Sequence, residues 1–432
     1  MGKTVAFDPE DRYNAFLTVC RNPCCGEGKL SGVAVAVKDN ISTSGIATSC
    51  ASKILEGYVP PYDAHVVALL RGEGAAIAGK TNMDEFGMGT TTENSAFGPT
   101  LNPHDTGRVP GGSSGGSAAA IAAGMVRMAL GTDTGGSIRC PAAFCGIVGL
   151  KPTYGRVSRY GLIAYANSLE QIGPMGKTVR DVSTLMGVIA GHDRKDSTSH
   201  DRPYSHIPSA DIRGLKIGIP AEYFGPGVDT EVAGSVRAAI HRLGELGATT
   251  VPCSIPSMEY ALAAYYVTCM SEASSNLARF DGVRYGPAAE TKKSWHDAYR
   301  EVRSAKFGVE VRRRIMLGTF ALSSGYYGKY YAKAQVAREN VRKDFARIFS
   351  EVDVIAGPTM PTIAFKLKEK TDPLSMYLSD ILTVPANLAG IPAISVPCGK
   401  VRGMPVGLQI MGRPFADEKI IDVAFAYEQA VS

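Results

Sequence analysis

Short apolar runs and helical patterns alternate along the first half of the chain. The apolar spacing in residues 63–70 predicts a helix, with Asp63 as its candidate N-cap. The alanine-rich residues 113–123 predict a buried helix that starts from a loop. Compact β-type runs predict buried strands at residues 32–37, 75–78 and 125–130. This alternation is typical of α/β proteins.

The second half changes character in its middle. Residues 230–246 predict an amphipathic helix closed by Gly247, and residues 258–349 are mostly helical in pattern. Further core strands are predicted at residues 215–219, 352–356, 393–396 and 406–410. We therefore expect an α/β fold in which both ends of the chain build one sheet, with a helical segment inserted in the second half. No linker or repeat interrupts the chain, so we expect a single domain over residues 1–432.

Composition and charge narrow the class of protein. Apolar residues make up 45% of the chain and charged residues 20%, as in ordinary globular proteins. The 46 basic and 41 acidic residues nearly cancel, so charge gives no argument for nucleic-acid binding by this chain alone. A nucleic acid held by another subunit stays open. The amino terminus lacks an apolar leader and no uncharged apolar run reaches about 18 residues, so we expect the cytoplasm.

The nine cysteines are too few and too irregularly spaced for a disulfide scaffold of this length. Paired Cys-x-x-Cys units are absent, which disfavours a zinc site. The adjacent Cys24 and Cys25 are predicted to be reduced thiols on a surface turn.

Two glycine-serine loops, residues 111–117 and 134–137, each abut predicted secondary structure. A flexible turn is one interpretation of such a loop. Another is a backbone cradle whose N–H groups bind a phosphate or an oxyanion. The spacings typical of phosphate-binding and dinucleotide-binding loops are absent, as is the Gly-x-Ser-x-Gly elbow of many serine hydrolases. The seven histidines are scattered, with no obvious acidic partner.

A serine nucleophile without histidine needs another base, and a lysine can serve when burial lowers its pKa. Lys38 follows the apolar strand predicted at residues 32–37, where burial is plausible. The local pattern alone nevertheless favours an exposed lysine at the end of a strand.

At these residues the sequence resembles the amidase signature family. Lys38 precedes Ser113 by 75 residues and Ser113 precedes Ser137 by 24, and residues 135–139, Pro141 and residues 145–152 fit the family's pattern. The resemblance implies the amidase signature fold, a mixed central sheet surrounded by helices. It also implies a catalytic triad in which Lys38 is the base, Ser113 the relay and Ser137 the nucleophile.

Further roles follow from the same resemblance. The relay serine is expected beside a cis peptide bond. The backbone N–H groups expected to form the oxyanion hole are those of Thr134, Gly135, Gly136 and Ser137. Asp133 and Arg139 are expected to orient the nucleophile's loop, and Lys80 is expected to be structural.

Residues 159–162, 168–174, 271–282 and 317–327 are similar to one branch of the family, the glutamine-hydrolysing A subunits of tRNA-dependent amidotransferases. The branch implies a glutamine site formed by Met88, Tyr265, Arg314 and Asp380. Arg314 suits a carboxylate and Asp380 an ammonium group. The residues alone favour a solvated helix face for Arg314 and a surface position for Asp380, and only the resemblance implies the binding roles.

Two positions depart from the relatives' pattern. Cys140 stands where glutamine is usual and Glu170 where aspartate is usual. Glu170 is a mild change. Cys140 is three residues from the nucleophile, so we expect it to affect the lining of the pocket or channel and not the triad.

The branch also implies partners. We expect a heterotrimer with B and C subunits, in which the partner subunit binds misacylated tRNA and uses ATP and Mg²⁺ to amidate it with ammonia from glutamine. No cofactor is expected in this chain. Glutamyl-tRNA(Gln) is the expected acceptor, with aspartyl-tRNA(Asn) left open. A stand-alone amidase and a non-catalytic scaffold are the alternatives.

Overall fold

The computed structural model describes residues 3–288 and 294–431. The strands are β1 Lys3–Thr4, β2 Phe16–Val19, β3 Cys24–Cys25, β4 Ala34–Lys38, β5 Ala76–Thr81, β6 Met128–Asp133, β7 Val148–Lys151, β8 Gln171–Gly176, β9 Lys216–Pro220, β10 Thr249–Cys253, β11 Val354–Pro358, β12 Ala393–Val401 and β13 Met404–Gly412. The helices are α1 His65–Gly72, α2 Gly115–Ala122, α3 Arg139–Cys145, α4 Val179–Ile189, α5 Thr230–Glu245, α6 Met258–Asn276, α7 Trp295–Lys306, α8 Val309–Leu322, α9 Tyr331–Ile348, α10 Pro373–Tyr377, α11 Val384–Ala389 and α12 Asp417–Val431.

Within the described residues, a mixed sheet of 11 strands forms the centre, in the order β10-β9-β11-β13-β12-β7-β8-β6-β4-β5-β2. Strand β4 runs parallel to both β5 and β6, whereas β8 is antiparallel to β6 and β7. The two halves of the chain meet where β12 pairs with β7. The predicted α/β fold, with one sheet built by both ends, is confirmed.

The helical middle is also confirmed within the described residues, since α6, α7, α8 and α9 follow one another between β10 and β11. Residues 289–293 of that stretch lie outside the described part. Helices α6 and α8 pack together, and both contribute to an apolar cluster that also contains Met88 and Leu382. Among the described residues, no helix is both long enough and apolar enough to cross a membrane.

Several predicted boundaries need correction. Strand β6 begins at Met128 instead of residue 125 and continues to Asp133, so it delivers the second glycine-serine loop directly. Helix α1 begins at His65, with Ala64 at its N-cap position. Asp63 does not cap it, because its carboxylate accepts from the amide of Ser44 at 2.7 Å.

The adjacent cysteines are free thiols, as predicted, but they do not form a turn. Cys24 and Cys25 make up the short strand β3, which pairs antiparallel with Lys3–Thr4. The surface-turn prediction is therefore wrong, because pairing with the amino-terminal residues extends this segment.

Candidate active site

Lys38 ends strand β4, and its side chain is fully buried. Its Nζ atom lies 2.7 Å from the hydroxyl oxygen of Ser113, 2.9 Å from that of Ser114 and 2.8 Å from that of Thr132. The Ser114 hydroxyl donates to the carbonyl oxygen of Thr132, so toward Lys38 it is an acceptor. A neutral amine has two N–H groups and one lone pair. With the N–H groups directed at Ser114 and Thr132, the lone pair faces Ser113.

The surroundings of Lys38 favour this neutral form. Burial lowers the pKa of the amine to about 7, although Asp84 and Asp133 act in the opposite direction. A substantial fraction of the amine is therefore able to accept a proton at neutral pH. The alternative of an exposed lysine at the end of a strand is wrong.

Ser113 lies in the loop before α2, and the peptide bond between Gly112 and Ser113 is cis, as expected. The loop is anchored on both sides. The amide of Asp84 donates to the carbonyl oxygen of Ser113 at 3.3 Å, and the amide of Ser114 donates to that of Ser137 at 3.1 Å. The second contact joins the two glycine-serine loops that the sequence singles out.

Ser137 lies between β6 and α3, in a loop held by the carboxylate of Asp133. That carboxylate accepts from the amides of Gly136 at 2.9 Å and Ile138 at 3.2 Å, and from the guanidinium of Arg139 at 3.0 Å. Burial alone would raise the pKa of Asp133, but Arg139 lowers it to about 2. The predicted orienting role of Asp133 and Arg139 is confirmed by these contacts.

The nucleophile's loop has room only for glycine at two positions. A Cβ atom on Gly135 would lie 2.3 Å from the hydroxyl of Tyr265, and one on Gly136 would lie 2.4 Å from the hydroxyl of Thr383. Gly136 also has φ of 138°, a conformation that other residues rarely adopt. The Thr383 hydroxyl donates to the carbonyl oxygen of Gly135 at 2.6 Å, so the loop is fixed from both sides.

The four expected oxyanion donors differ in their contacts. The amide of Gly136 is already donated to Asp133, which makes it the weakest candidate. The described hydrogen bonds also include none between the hydroxyls of Ser113 and Ser137. The link from relay to nucleophile therefore stays a prediction, as do the amides of Thr134, Gly135 and Ser137 as oxyanion donors.

Arg314 lies in α8 and is 3% exposed. Its Nε donates to the carboxylate of Glu310 at 2.8 Å, and its Nη1 donates to the hydroxyl of Tyr165 at 2.7 Å. The centre of its guanidinium lies 5.3 Å from the ring centroids of both Tyr266 and Tyr377. A solvated helix face is therefore ruled out for Arg314, which lies in a buried aromatic setting.

Asp380 ends a short 3-10 helix, Leu378–Asp380, and is 7% exposed. Its carboxylate accepts from the hydroxyl of Thr90 at 3.0 Å and from that of Tyr266 at 2.6 Å. Burial raises the pKa of Asp380 to about 6, although both hydrogen bonds act against this rise. The surface position allowed by the sequence is wrong.

Tyr265 and Met88 complete the set expected to bind substrate. Tyr265 lies in α6 against Gly135, and its ring centroid is 4.9 Å from that of Tyr266. Met88 is fully buried in the same apolar cluster as Tyr265 and Tyr165. Tyr266 contacts both Asp380 and Arg314, so Tyr265 packs against a residue that links the two proposed binding groups.

The sequence interpretation missed the residues that support this set. Tyr266 and Thr90 bind Asp380, and Glu310 and Tyr165 bind Arg314. One signal was available, since Glu310 precedes Arg314 by four residues on one helix, the spacing of a helical ion pair. The other contacts join distant parts of the chain.

Lys80 is structural, as predicted. Its buried amine donates to the carbonyl oxygen of Ile41 at 2.8 Å and to the hydroxyl of Thr48 at 2.7 Å, and it lies 3.5 Å from Asp39. None of the described hydrogen bonds or ion pairs of Lys80 is with a triad residue.

Cys140 is fully buried, and its thiol lies 3.6 Å from the carbonyl oxygen of Thr90. Burial raises the pKa of this thiol well above its usual value. Cys140 therefore touches Thr90, which binds Asp380, and its thiol also lies at the backbone of Gly112, next to Ser113. Its expected effect on the pocket or channel, and not on the triad, stays a prediction.

A family model described as Amidase matches residues 21–421. The chain belongs to the amidase family. The predicted fold of the amidase signature enzymes is thereby confirmed, together with the mixed sheet and its surrounding helices.

Within the amidase family, the chain is similar to the A subunits of several glutamyl-tRNA(Gln) amidotransferases. That of Methanospirillum hungatei is 73% identical over 427 residues, which is 99% of each chain. That of Methanosarcina mazei is 59% identical over 406 residues, which is 93% of this chain and 85% of the relative. The crystal structure of the Thermotoga maritima protein is 46% identical with a TM-score of 0.85, covering 96% of this chain and 87% of that one.

A bacterial aryl acylamidase of the amidase signature family has the same fold at lower identity. It is 26% identical with a TM-score of 0.81, covering 94% of this chain and 84% of its own. The fold thus extends to amidases of other specificity.

Proposed function

We propose that this chain is the glutamine-hydrolysing subunit of a glutamyl-tRNA(Gln) amidotransferase and that it supplies ammonia for the amidation of misacylated tRNA. The contact of 2.7 Å between the buried amine of Lys38 and the hydroxyl of Ser113 carries the amide-cleaving chemistry. The acceptor comes from the relatives that bear this name, and glutamine as the ammonia donor comes from the branch of the family that the sequence resembles.

The reaction begins with two proton transfers. Neutral Lys38 takes the proton of Ser113, which takes the proton of Ser137, because a hydroxyl donates and accepts at once. Ser137 then attacks the carboxamide carbon of glutamine and forms an acyl-enzyme. Returning the proton to the nitrogen lets ammonia leave, and water releases glutamate.

The oxyanion formed in this attack needs donors in a fixed position. We assign it to the backbone amides of Thr134, Gly135 and Ser137, while that of Gly136 holds Asp133 and keeps the loop in shape. Each well-placed donor is worth roughly 3 kcal/mol of transition-state stabilisation.

The other end of glutamine carries an ammonium and a carboxylate. Arg314 binds the carboxylate, because two of its five N–H groups are taken by Glu310 and Tyr165 and the others can face a ligand. Asp380 binds the ammonium group, for which its carboxylate must be ionised. Tyr265 and Met88 line the space between these groups and the nucleophile.

The reaction implies partners. B and C subunits complete a heterotrimer, the partner subunit binds misacylated tRNA, and ATP and Mg²⁺ act there to activate the acceptor. The complex is expected in the cytoplasm, where tRNA is aminoacylated. The chain itself is proposed to be one domain, because strands from both halves share one sheet.

A stand-alone amidase is the competing function. Identity supports the amidotransferase role, since the relatives with that name reach 73%, against 26% for a solved aryl acylamidase and 31% for a solved peptide amidase. The difference is large over nearly the full chain.

The test uses the chain purified with the B and C subunits of its own source. Glutamine, ATP and glutamyl-tRNA(Gln) together should yield glutaminyl-tRNA. Ser137→Ala should abolish the glutamine-dependent product but leave the product made with free ammonium chloride. Ser275→Ala, which alters an exposed serine of α6, is the matched control. Hydrolysis of simple amides without any amidation of tRNA would instead identify a stand-alone amidase.

A further inference from the structure

Glu310 connects the two segments that carry the proposed binding groups for the ends of glutamine. It lies one helical turn before Arg314 in α8 and accepts from the Nε of Arg314 at 2.8 Å. The same Oε1 atom accepts from the hydroxyl of Tyr377 at 2.8 Å. Tyr377 ends α10, three residues before Asp380. One carboxylate oxygen therefore joins the helix of Arg314 to the segment of Asp380.

A second connection runs through aromatic rings. The ring of Tyr377 stacks on that of Tyr266, with 4.1 Å between centroids and 27° between planes. The hydroxyl of Tyr266 donates to Asp380 at 2.6 Å. Arg314, Glu310, Tyr377, Tyr266 and Asp380 thus form a continuous series of contacts that begins and ends on a proposed binding group.

The charge of Glu310 suits this position. Its side chain is only 10% exposed. Burial would raise the pKa of its carboxyl, but Arg314 and the hydrogen bond from Tyr377 lower it. Arg313 also pairs with this carboxylate. The ionised carboxylate therefore has fixed partners on two elements, unlike a mobile surface glutamate.

We infer that Glu310 and Tyr377 form a latch that holds Arg314 and Asp380 at a fixed separation and thereby makes the site selective for amides of α-amino acids. This inference rests on the proposed function. The ammonium and carboxylate of an α-amino acid are attached to one carbon, so the groups that bind them must keep a fixed distance. Neither latch residue contacts the triad in the described contacts, so both are positioning residues.

The latch makes a specific kinetic prediction. Loosening it should weaken the binding of glutamine, while the triad and the oxyanion donors stay in place. An uncharged amide such as pentanamide does not use Arg314 or Asp380, so its hydrolysis should not depend on the latch. A merely structural ion pair would instead affect all amides alike.

The experiment compares Tyr377→Phe and Glu310→Gln in the chain purified with its partner subunits. Tyr377→Phe removes one hydroxyl and keeps the ring stack, and Glu310→Gln keeps the side-chain shape and removes the charge. We expect KM for glutamine to rise about 3–10-fold in the first and about 10–100-fold in the second, the scale of a neutral and a charge-assisted hydrogen bond. We expect kcat for glutamine and kcat/KM for pentanamide to stay within about twofold.

The double variant and a control complete the design. Because both changes break the same latch, KM of the double variant for glutamine should be no higher than that of Glu310→Gln alone. Glu339→Gln, which removes an exposed helical pair with Arg342, should leave all constants unchanged. An unchanged KM for glutamine in both variants, or equal losses on glutamine and pentanamide, would overturn the latch. If the unaltered complex hydrolyses no glutamine, the proposed function fails instead.

Discussion

The amine of Lys38 lies 2.7 Å from the hydroxyl of Ser113, and both side chains are buried. Lys38 comes from the end of strand β4, so the sheet positions the base. Ser113 comes from the loop before α2, and this loop positions the relay. Acceptors on Ser114 and Thr132 occupy the other directions around the amine. The lone pair of a neutral Lys38 therefore faces the proton that it is proposed to take.

Changing Lys38 tests the base. Lys38→Met keeps an apolar chain of similar length but removes the proton acceptor, so kcat for glutamine should fall roughly 10²–10⁴-fold. Lys38→Arg should be equally inactive, because a guanidinium does not lose its proton near neutral pH. Steady-state glutamine hydrolysis measures both, with Tm as a check on folding. Near-normal kcat in Lys38→Arg would refute the role of base.

Lys80 provides the matched comparison. Lys80→Met leaves the buried carboxylate of Asp39 without its cation, which should cost about 3–5 kcal/mol of stability. Below its lowered Tm this variant should still hydrolyse glutamine. Lys80→Met should therefore lose stability but keep activity, whereas Lys38→Met should lose activity.

The pH dependence of glutamine hydrolysis should show two ionisations. Lys38 must be neutral to act, and its pKa is about 7, so kcat/KM should rise with pH through about 7. Asp380 must be ionised to bind the ammonium group, and its pKa is about 6, so a further loss is expected below about 6. Pentanamide should show only the ionisation near 7. A rate that falls between pH 6 and 8 would contradict both assignments.

Strands with continuous apolar sequence were predictable, and others were not. Residues 34–37 of β4 are four apolar residues in a row, which is typical of a buried parallel strand. Strand β8 contains Gly173 and Pro174, which favour turns and bulges. It is a strand because β6 and β7 pair with it on its two sides, a tertiary effect that local pattern does not reveal.

The same distinction holds for the site. Lys38, Ser113 and Ser137 were found from their spacing and the family resemblance that it carries, since the loops that hold two of them have an unusual composition. The pair formed by Glu310 and Tyr377 spans 67 residues and has no local signal. Contacts of this kind depend on how α8 and α10 pack, which only the structure reports.

Arg139 should be essential for stability. Arg139→Met leaves the fully buried carboxylate of Asp133 without its cation, so the free energy of unfolding should fall by about 3–5 kcal/mol. Urea unfolding measures the change. Arg342→Met, which breaks an exposed pair, should cost below about 1 kcal/mol. A loss at Arg139 no larger than this control would show that the buried pair contributes little.

The pH dependence of stability gives an independent check on the same pair. The pKa of Asp133 is lowered to about 2 in the folded protein, against about 3.9 for an unperturbed aspartate. Because folding lowers this pKa, ionised Asp133 stabilises the folded protein above about pH 4, and this stabilisation is lost as pH falls toward 2. In Arg139→Met this part of the acid dependence should be reduced.

Gly135 tests how closely the nucleophile's loop must be held. A Cβ atom there would lie 2.3 Å from the hydroxyl of Tyr265, so Gly135→Ala must displace the loop or the ring. A displacement of about 1 Å is enough to lower the rate roughly 10²-fold. Pairing it with Tyr265→Leu removes the obstructing atoms and should restore pentanamide hydrolysis. Glutamine hydrolysis should stay weak, because Tyr265 is proposed to line its site.

Alanine at Gly136 and at Gly234 should behave differently from alanine at Gly135. Gly136→Ala should not be rescued by Thr383→Ala, because φ of 138° opposes any side chain even when space is made. Gly234→Ala, in α5 with nothing within 4 Å of the new atom, should be fully active and slightly more stable. If Gly135→Ala alone were as active as Gly234→Ala, contact between Tyr265 and the nucleophile's loop would not matter for catalysis.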